Sequence, residues 1–190
     1  MSRLDKKQAL LDTALSLFVS QGFHATSTAS IAKQAGVATG TLFHHFSSKD
    51  ELMKQLFLAI KQEFADSIKA QISQQGDLKA DTKHLWQVAI DWAITNPLKQ
   101  EFFQQYSMSP SIPSTIRQQA MNDILSFMGE LILQGQKTGE LADYPLSLMQ
   151  ESCHGQYLAA TRYFLDHPDK WQDEAHKLAS FSMFWNAMKA

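Results

Sequence analysis

Apolar residues recur with helical spacing along most of the chain. In the first segment, Leu11, Ala14, Leu15 and Phe18 fall at positions i, i+3, i+4 and i+7, which places them on one face of a helix. Gly22 follows where a helix end is expected. No segment alternates apolar and polar residues over the length of a strand. We therefore predict an all-α fold of about nine helices.

Breaks in this pattern give the bounds of the helices that follow the first one. Ser48 and Glu51 have the spacing of a capping box, which predicts the start of a long helix. The polar segment 74–81 contains a glycine and predicts a domain boundary. The predicted helices cover about 28–35, 39–45, 48–74, 82–96, 98–107, 113–138, 145–167 and 170–188.

Composition is that of an ordinary globular protein. Of the 190 residues, 44% are hydrophobic and 19% are charged, and the net charge is −2. No apolar run reaches the roughly 18 residues of a membrane span, and the N-terminus has no signal-peptide core. A single cysteine, Cys153, excludes an internal disulfide and suits a reducing compartment. We expect a cytoplasmic protein that does not associate with membranes.

Charge is distributed unevenly. The first 50 residues carry an excess of basic side chains, although the whole chain is slightly acidic. Three acidic residues lie there, against five basic ones, which are Arg3, Lys6, Lys7, Lys33 and Lys49. This asymmetry indicates that the N-terminal segment meets an anionic partner.

Residues 28–46 read as two short helices joined by a tight turn. Ala32 gives the first helix a small residue at the contact, and Gly36 lies in the turn. This is the helix-turn-helix pattern. Spacing on the second short helix turns Leu42, His45 and Phe46 toward the core.

The opposite face of that second helix carries a hydroxyl, a residue without a side chain, an aromatic ring and an imidazole. These groups belong to Thr39, Gly40, Phe43 and His44. Hydroxyl and imidazole groups can bond phosphates or base edges, and an apolar ring can contact the thymine methyl group. The pattern therefore suits contact with DNA.

Two adjacent histidines, His44 and His45, could instead be metal ligands. Neighbouring side chains on a helix point about 100° apart, so one ion cannot take both. No cysteine or acidic residue with ligand spacing lies near them. We predict no metal and no cofactor. Two roles remain for His44, a contact with DNA or that of an ordinary surface residue. For His45 we expect a packing role.

Residues 5–57 resemble the N-terminal DNA-binding domain of the TetR family of transcriptional regulators. The matching runs are ALLDTALSLFVSQGF, TSTASIAKQAGVATGTLFHHF and SKDEL, about a quarter of the chain. The resemblance implies a helix-turn-helix DNA-binding domain over 1–48 and a linking long helix over 49–79. It also implies an effector-binding and dimerisation domain over 80–190.

The resemblance also implies which residues contact DNA. Thr28 and Lys49 would meet phosphates near helix N-termini. The family usually has tyrosine at the position of Phe43, so a phosphate contact is lost here and a methyl or sugar contact is expected in its place. The full implied set is Thr28, Thr39, Gly40, Thr41, Phe43, His44 and Lys49.

The second half of the chain is rich in aromatic residues and methionines. Such side chains pack cores and also line apolar pockets. TetR-like bodies usually hold an effector, so we predict a pocket for a small apolar or amphipathic ligand, oriented by tyrosine hydroxyls and tryptophan N–H groups. Core packing is the alternative. The predicted lining is Trp86, Trp92, Phe102, Phe103, Tyr106, Met121, Leu125 and Tyr157.

The last two predicted helices carry apolar faces, which in the family form a dimer interface. Phe181 and Trp185, near the C-terminus, would otherwise be an exposed apolar patch. The expected interface residues are Leu158, Leu165, Phe181, Phe184, Trp185 and Met188. For Cys153 and His154 a redox or metal role is conceivable, and a structural role is expected.

These features together predict a homodimeric repressor that a ligand releases from a palindromic DNA operator. An alternative on the same fold is a DNA-bound adaptor whose body binds a protein partner and no small molecule. An enzyme would require a nucleophile with its base, or a metal cluster, and the sequence indicates neither.

Overall fold

The protein is described by a computed structural model that covers residues 3–72, 77–107 and 109–190. These residues form ten α-helices and no strand, and one isolated bridge pairs Leu141 with Lys189. The prediction of an all-α fold is confirmed. The helices are α1 (Arg3–Gln21), α2 (Thr28–Gln34), α3 (Thr39–His45), α4 (Lys49–Lys69), α5 (Leu78–Thr95), α6 (Pro97–Tyr106), α7 (Ser114–Gln119), α8 (Ser126–Thr138), α9 (Leu146–Asp166) and α10 (Glu174–Met188).

The helix predicted over 113–138 is divided in the structure. A π-helical turn, Ala120–Ile124, separates α7 from α8. There the Leu125 N–H donates to the Ala120 carbonyl at 3.0 Å, five residues back rather than four. Apolar spacing alone does not reveal such an inserted residue, so the sequence predicted one continuous helix.

Two other helix starts differ because of caps. Asp77 accepts a hydrogen bond from the Ala80 N–H at 3.0 Å, so α5 begins before the predicted residue 82. Asp173 caps α10 in the same way, after a 3₁₀ turn over Pro168–Gln172. The helix predicted to run to about 74 ends at Lys69, and residues 74–76 lie outside the described residues.

The chain forms two compact units. The first contains Met1–Lys61 and Leu98–Arg117, and the second contains Gln62–Pro97 and Gln118–Ala190. The boundaries drawn from the sequence concern function rather than packing, and they remain a prediction.

In the first unit, α1, α2 and α3 pack on one another. The Tyr106 hydroxyl donates to the Phe18 carbonyl at 2.8 Å, which joins α6 to α1. The rings of Phe57 and Phe103 meet edge to face, 6.1 Å apart. Fully or almost fully buried side chains of this core include Leu10, Phe18, Ile31, Ala32, Leu42, Phe46, Leu52, Phe57, Phe102 and Phe103.

In the second unit, α5 packs against α9 and α10, and α8 packs against α9. Trp86 on α5 stacks on Phe184 with ring centroids 4.5 Å apart, and its indole N–H donates to the Ser180 hydroxyl at 2.8 Å. The Trp171 N–H donates to the Asp91 carboxylate at 2.6 Å. No helix among the described residues has the length and apolarity needed to cross a bilayer.

Candidate nucleic-acid interface

The start of α2 is fixed by a reciprocal cap. The Ser30 N–H donates to the Ser27 hydroxyl at 3.0 Å, and the Ser27 N–H donates to the Ser30 hydroxyl at 3.2 Å. Thr28 is therefore the first residue of α2, as predicted, and its side chain is half-buried. The sequence predicted a helix start at residue 28 without identifying this pair.

The turn between α2 and α3 has the form that the sequence predicted. Ala32 is fully buried at the contact. Gly36 has a φ of +68°, in the left-handed region where a side chain is strained, and it follows Ala35, the C-cap residue of α2. The Val37 N–H then donates to the Ala32 carbonyl at 3.0 Å. This turn fixes the direction in which α3 leaves α2.

The two faces of α3 differ as predicted. Leu42 is fully buried, and Phe46 just beyond the helix is 1% exposed. Phe43 has 50% of its surface exposed. The exposed set is Thr39, Gly40, Phe43 and His44, while Thr41 and His45 are half-buried. The structure thus brings four of the predicted DNA-contacting residues of α3 together on one outward surface, and Thr41 is not part of that exposed set.

The rings of His44 and His45 are 5.5 Å apart and lie at 71° to each other. They diverge, as expected for neighbours on a helix, and so do not offer nitrogens to a common ion. Within the described part of the chain, no group of three or more histidine, cysteine or acidic side chains could hold a metal.

Lys49, at the start of α4, turns toward the segment between α1 and α2. Its Nζ donates to the carbonyls of Phe23 at 2.8 Å and Thr26 at 3.0 Å, and lies 4.2 Å from the centroid of the Phe23 ring. Thr26 is itself 1% exposed, and its hydroxyl donates to the Gly22 carbonyl at 2.8 Å. These contacts were missed from the sequence, because helical periodicity carries no signal for partners so far apart.

Half of the predicted capping box at Ser48 is formed. The Glu51 N–H donates to the Ser48 hydroxyl at 3.0 Å. The Glu51 carboxylate accepts a hydrogen bond from Gln55 at 2.8 Å and lies 3.8 Å from the Lys54 ammonium. The cap begins α4 at Lys49 and so sets the position of the lysine that reaches Phe23.

The predicted effector residues fall into the two units. Phe102, Phe103 and Tyr106 belong to the first unit and are buried in its core. Burial raises the pKa of Tyr106, whose hydroxyl is bonded to Phe18. The Tyr106 hydroxyl and the Trp86 N–H both have partners within the protein. That tyrosine hydroxyls and tryptophan N–H groups orient a ligand stays a prediction.

The remaining predicted effector residues lie in the second unit: Trp86, Trp92, Met121, Leu125 and Tyr157. The Phe64 ring is 5.1 Å from that of Trp92 and 5.3 Å from that of Tyr157. Tyr157 is buried, which raises its pKa well above the ordinary value. Leu125 is 3% exposed, and Met121 is half-buried.

The expectation of an exposed patch at Phe181 and Trp185 is wrong. Phe181 is 2% exposed, Trp185 7% and Met188 3% within a single protomer. The other predicted interface residues, Leu158, Leu165 and Phe184, are half-buried. Beyond its first residue, Glu174, the exposed residues of α10 form a different and uncharged set, namely Ala175, Leu178, Ala179, Met183, Asn186 and Ala187.

Cys153 on α9 is buried, with its Sγ 3.8 Å from the Met188 Sδ. Burial raises the pKa of its thiol to about 12. A reactive cysteine has a lowered pKa and an accessible sulfur, and Cys153 has neither. The structural role expected from the sequence agrees with this environment.

Comparison with known proteins places the chain in a family. Residues 10–56 match the family model described as bacterial regulatory proteins, tetR family. A crystal structure from Shewanella sp. PV-4, assigned to the tetR family of transcription regulators, is 65% identical with a TM-score of 0.96. That match covers 97% of this chain and 98% of the other. The protein belongs to the TetR family of transcriptional regulators.

More distant relatives of this TetR-family protein share the DNA-binding segment or the fold. The fatty acid metabolism regulator protein of Bacillus subtilis is 30% identical over 74 residues, which is 39% of this chain and 38% of that protein. The FadR regulator of Bacillus subtilis, solved with stearoyl-CoA, has a TM-score of 0.74 at 19% identity and shares the fold. That fold match covers 93% of this chain and 96% of FadR.

Proposed function

We propose that this TetR-family protein is a homodimeric repressor that binds a palindromic DNA operator and that an apolar or amphipathic ligand releases from it. The proposal of DNA binding rests on the outward surface of α3. Thr39, Gly40, Phe43 and His44 are exposed there, on a helix anchored by buried Leu42 and Phe46. The relatives described above are regulators, and we propose no catalytic activity.

The DNA contacts follow from the chemistry of these side chains. Thr39, Thr41 and His44 supply hydroxyl and imidazole groups for base edges and phosphates in the major groove. Thr28, at the start of α2, supplies a hydroxyl for the phosphate backbone. Lys49 adds positive charge beside it, as the family resemblance implies. Together these residues would place α3 in the groove and hold it there.

The proposed dimer uses the exposed apolar side chains of α9 and α10. On α10, Leu178 is 53% exposed and Met183 74% exposed. On α9, Leu148 is 62% exposed. Large apolar side chains exposed in this number mark an interaction surface. A two-fold dimer would present two α3 helices to half-sites about 34–36 Å apart.

The proposed effector binds in the second unit. FadR of Bacillus subtilis shares this fold and holds stearoyl-CoA. Trp92, Met121, Leu125 and Tyr157 provide apolar and aromatic surface suited to an acyl chain. A difference in ligand affinity between DNA-bound and released states of about 1–3 kcal/mol would change operator occupancy by about 5- to 150-fold.

The experiment that tests this function begins with DNA selection. Purified protein is used to enrich duplexes from a random-sequence pool, and binding is measured by fluorescence anisotropy at fixed salt. We expect a palindrome whose half-sites lie one helical turn apart. His44→Ala is expected to weaken binding by about 1–3 kcal/mol if the imidazole bonds a base. The control is His84→Ala, at an exposed histidine of α5, which should leave binding unchanged.

Addition of stearoyl-CoA to the complex tests release, and free coenzyme A is the control for its polar part. Enrichment of no sequence would contradict the proposal as a whole. Specific DNA binding that no amphipathic compound alters would instead support the adaptor alternative, in which the body binds a protein partner.

A further inference from the structure

The outward face of α3 lacks the side chains that usually read purines. The helix reads Thr-Gly-Thr-Leu-Phe-His-His, with no arginine, lysine, asparagine or glutamine. These are the residues that recognise guanine or adenine through paired hydrogen bonds. The largest group that α3 exposes is the ring of Phe43, with half of its surface open. The chemistry of α3 is therefore weighted toward apolar contact.

Gly40 is not required by the fold. The backbone of Gly40 does not have a positive φ, in contrast to Gly22, Gly36 and Gly139. A Cβ atom built on Gly40 would meet no other atom within 4 Å. Glycine within a helix lowers stability relative to alanine. A partner that approaches the α3 backbone closely would account for a glycine at this position.

We propose that Gly40 and Phe43 together recognise thymine in the operator. The missing Cβ of Gly40 lets the edge of a base pair approach α3, and the ring of Phe43 packs on the C5-methyl group. In the major groove of unmodified DNA only thymine carries that methyl group. This inference rests on the proposed DNA-binding function and names the base class that α3 reads.

The helix geometry supports a joint role for the two residues. Positions 40 and 43 are i and i+3, so Gly40 and Phe43 lie on the same face. Phe43 has no hydroxyl and thus no donor for a phosphate oxygen. A methyl group is apolar, and covering the exposed half of the ring with it removes apolar surface from water. Buried Leu42 holds the helix beneath this face in place.

The first test changes only the DNA. In the selected duplex, thymines are replaced one at a time by deoxyuridine, which removes the C5-methyl group and leaves the hydrogen-bonding pattern intact. We expect one or two positions in each half-site to bind about 4-fold more weakly, the value for one methyl group withdrawn from an apolar contact. Because no residue of the protein is altered, folding cannot account for this loss.

The second test changes the protein. Phe43→Ala should remove the difference between the thymine and deoxyuridine duplexes. His44→Ala, the neighbouring exposed position, is the matched control and should keep that difference. Gly40→Ala should raise the melting temperature, because alanine favours the helix, yet weaken DNA binding roughly 5-fold or more through an overpacked contact. A purely structural role for Gly40 cannot give opposite changes in stability and binding.

The outcomes separate this inference from the proposed function. If specific duplexes bind but no thymine is sensitive to loss of its methyl group, thymine recognition is overturned and the regulator function stands. Sensitivity that persists in Phe43→Ala, or unchanged binding by Gly40→Ala, overturns the role of that residue and with it the inference. If no duplex is selected, the proposed function and the inference fail together.

Discussion

The Lys49 ammonium donates a hydrogen bond to the Phe23 carbonyl at 2.8 Å, and this contact joins the first turn of α4 to the segment between α1 and α2. The same group donates to the Thr26 carbonyl at 3.0 Å and lies over the Phe23 ring. The next residue, Ser27, caps α2. Lys49 therefore stabilises the segment from which α2 and then α3 are positioned.

Replacement of Lys49 by methionine should destabilise the first unit. The variant keeps an apolar side chain of similar length but leaves two backbone carbonyls without their charged donor, and we expect the free energy of unfolding to fall by about 1–3 kcal/mol. Urea denaturation measures this change. Lys33→Met, at an exposed lysine of α2, is the matched control and should change stability by less than about 0.5 kcal/mol. Equal effects in the two variants would rule out the internal role.

The same variant tests the phosphate contact separately. An ammonium group has three N–H donors, and the two described carbonyls use two of them. If the group also neutralises a phosphate, the slope of log K against log salt concentration should fall in magnitude by about 0.9 in Lys49→Met. We expect this fall. Weaker binding with an unchanged slope would leave Lys49 with its structural role alone.

The helix-turn-helix element was predictable because its determinants are local. Ala32, Gly36 and the alternation between buried Leu42 and exposed Phe43 follow from helical spacing and backbone freedom within twenty residues of sequence. The Lys49 contact was not predictable, since its partners are 23 and 26 positions away and lie in an irregular segment. Sequence periodicity reports which face is buried, and it does not report which distant carbonyl a lysine reaches.

The prediction of which face of α10 points outward was also wrong, because periodicity does not identify the packing partners of a helix. From Leu178 onward the helix carries apolar residues on most of its sides, so its sequence offers two apolar faces, one with Phe181 and Trp185 and another with Leu178 and Met183. Spacing cannot decide which of them packs inside. The packing partners of α10 decide this. Trp86 stacks on Phe184 and donates a hydrogen bond to Ser180, which turns Phe181 inward and leaves Met183 outside.

The dimer prediction follows from this corrected face. Leu178→Asp combined with Met183→Asp should give a folded monomer, because both side chains are exposed in the protomer and the charges would be buried only on association. Sedimentation velocity at micromolar concentration measures the state. Phe181→Asp, at a buried position, should instead unfold the protein. A double variant that remains dimeric, or a wild-type monomer, would argue against this interface.

Cys153 should be unreactive in the folded protein. Burial raises the pKa of its thiol to about 12, so almost no thiolate is present at pH 8, where a thiol of ordinary pKa is partly ionised. Ellman's reagent should react slowly with the native protein and rapidly in urea. Fast labelling of the native protein would support a sensor role.

The raised pKa of the Cys153 thiol also affects stability. Cys153 favours the folded state below the ordinary thiol pKa. This contribution is lost as pH rises from about 9 toward 12, because the unfolded chain releases the proton first.

Tryptophan fluorescence can test the prediction that an effector binds in the second unit. All four tryptophans, Trp86, Trp92, Trp171 and Trp185, belong to the second unit, so their emission reports that unit alone. Trp92 packs on Phe64, which also contacts Tyr157, whereas Trp171 packs on Phe164. A ligand that enters beside Trp92 should shift the emission, and Trp92→Phe should remove most of the shift.

Trp171→Phe is the matched control for that measurement, because it removes a buried tryptophan of the same unit that packs on Phe164 instead of Phe64. With stearoyl-CoA as the probe, we expect the emission shift and the release of operator DNA to occur over the same concentration range, since one binding event causes both. Free coenzyme A should produce neither. An emission shift without release would show binding that is not coupled to DNA. The absence of both, with DNA binding intact, would mean that the rings of Phe64, Trp92 and Tyr157 form packed core and that the body of the protein acts through a protein partner.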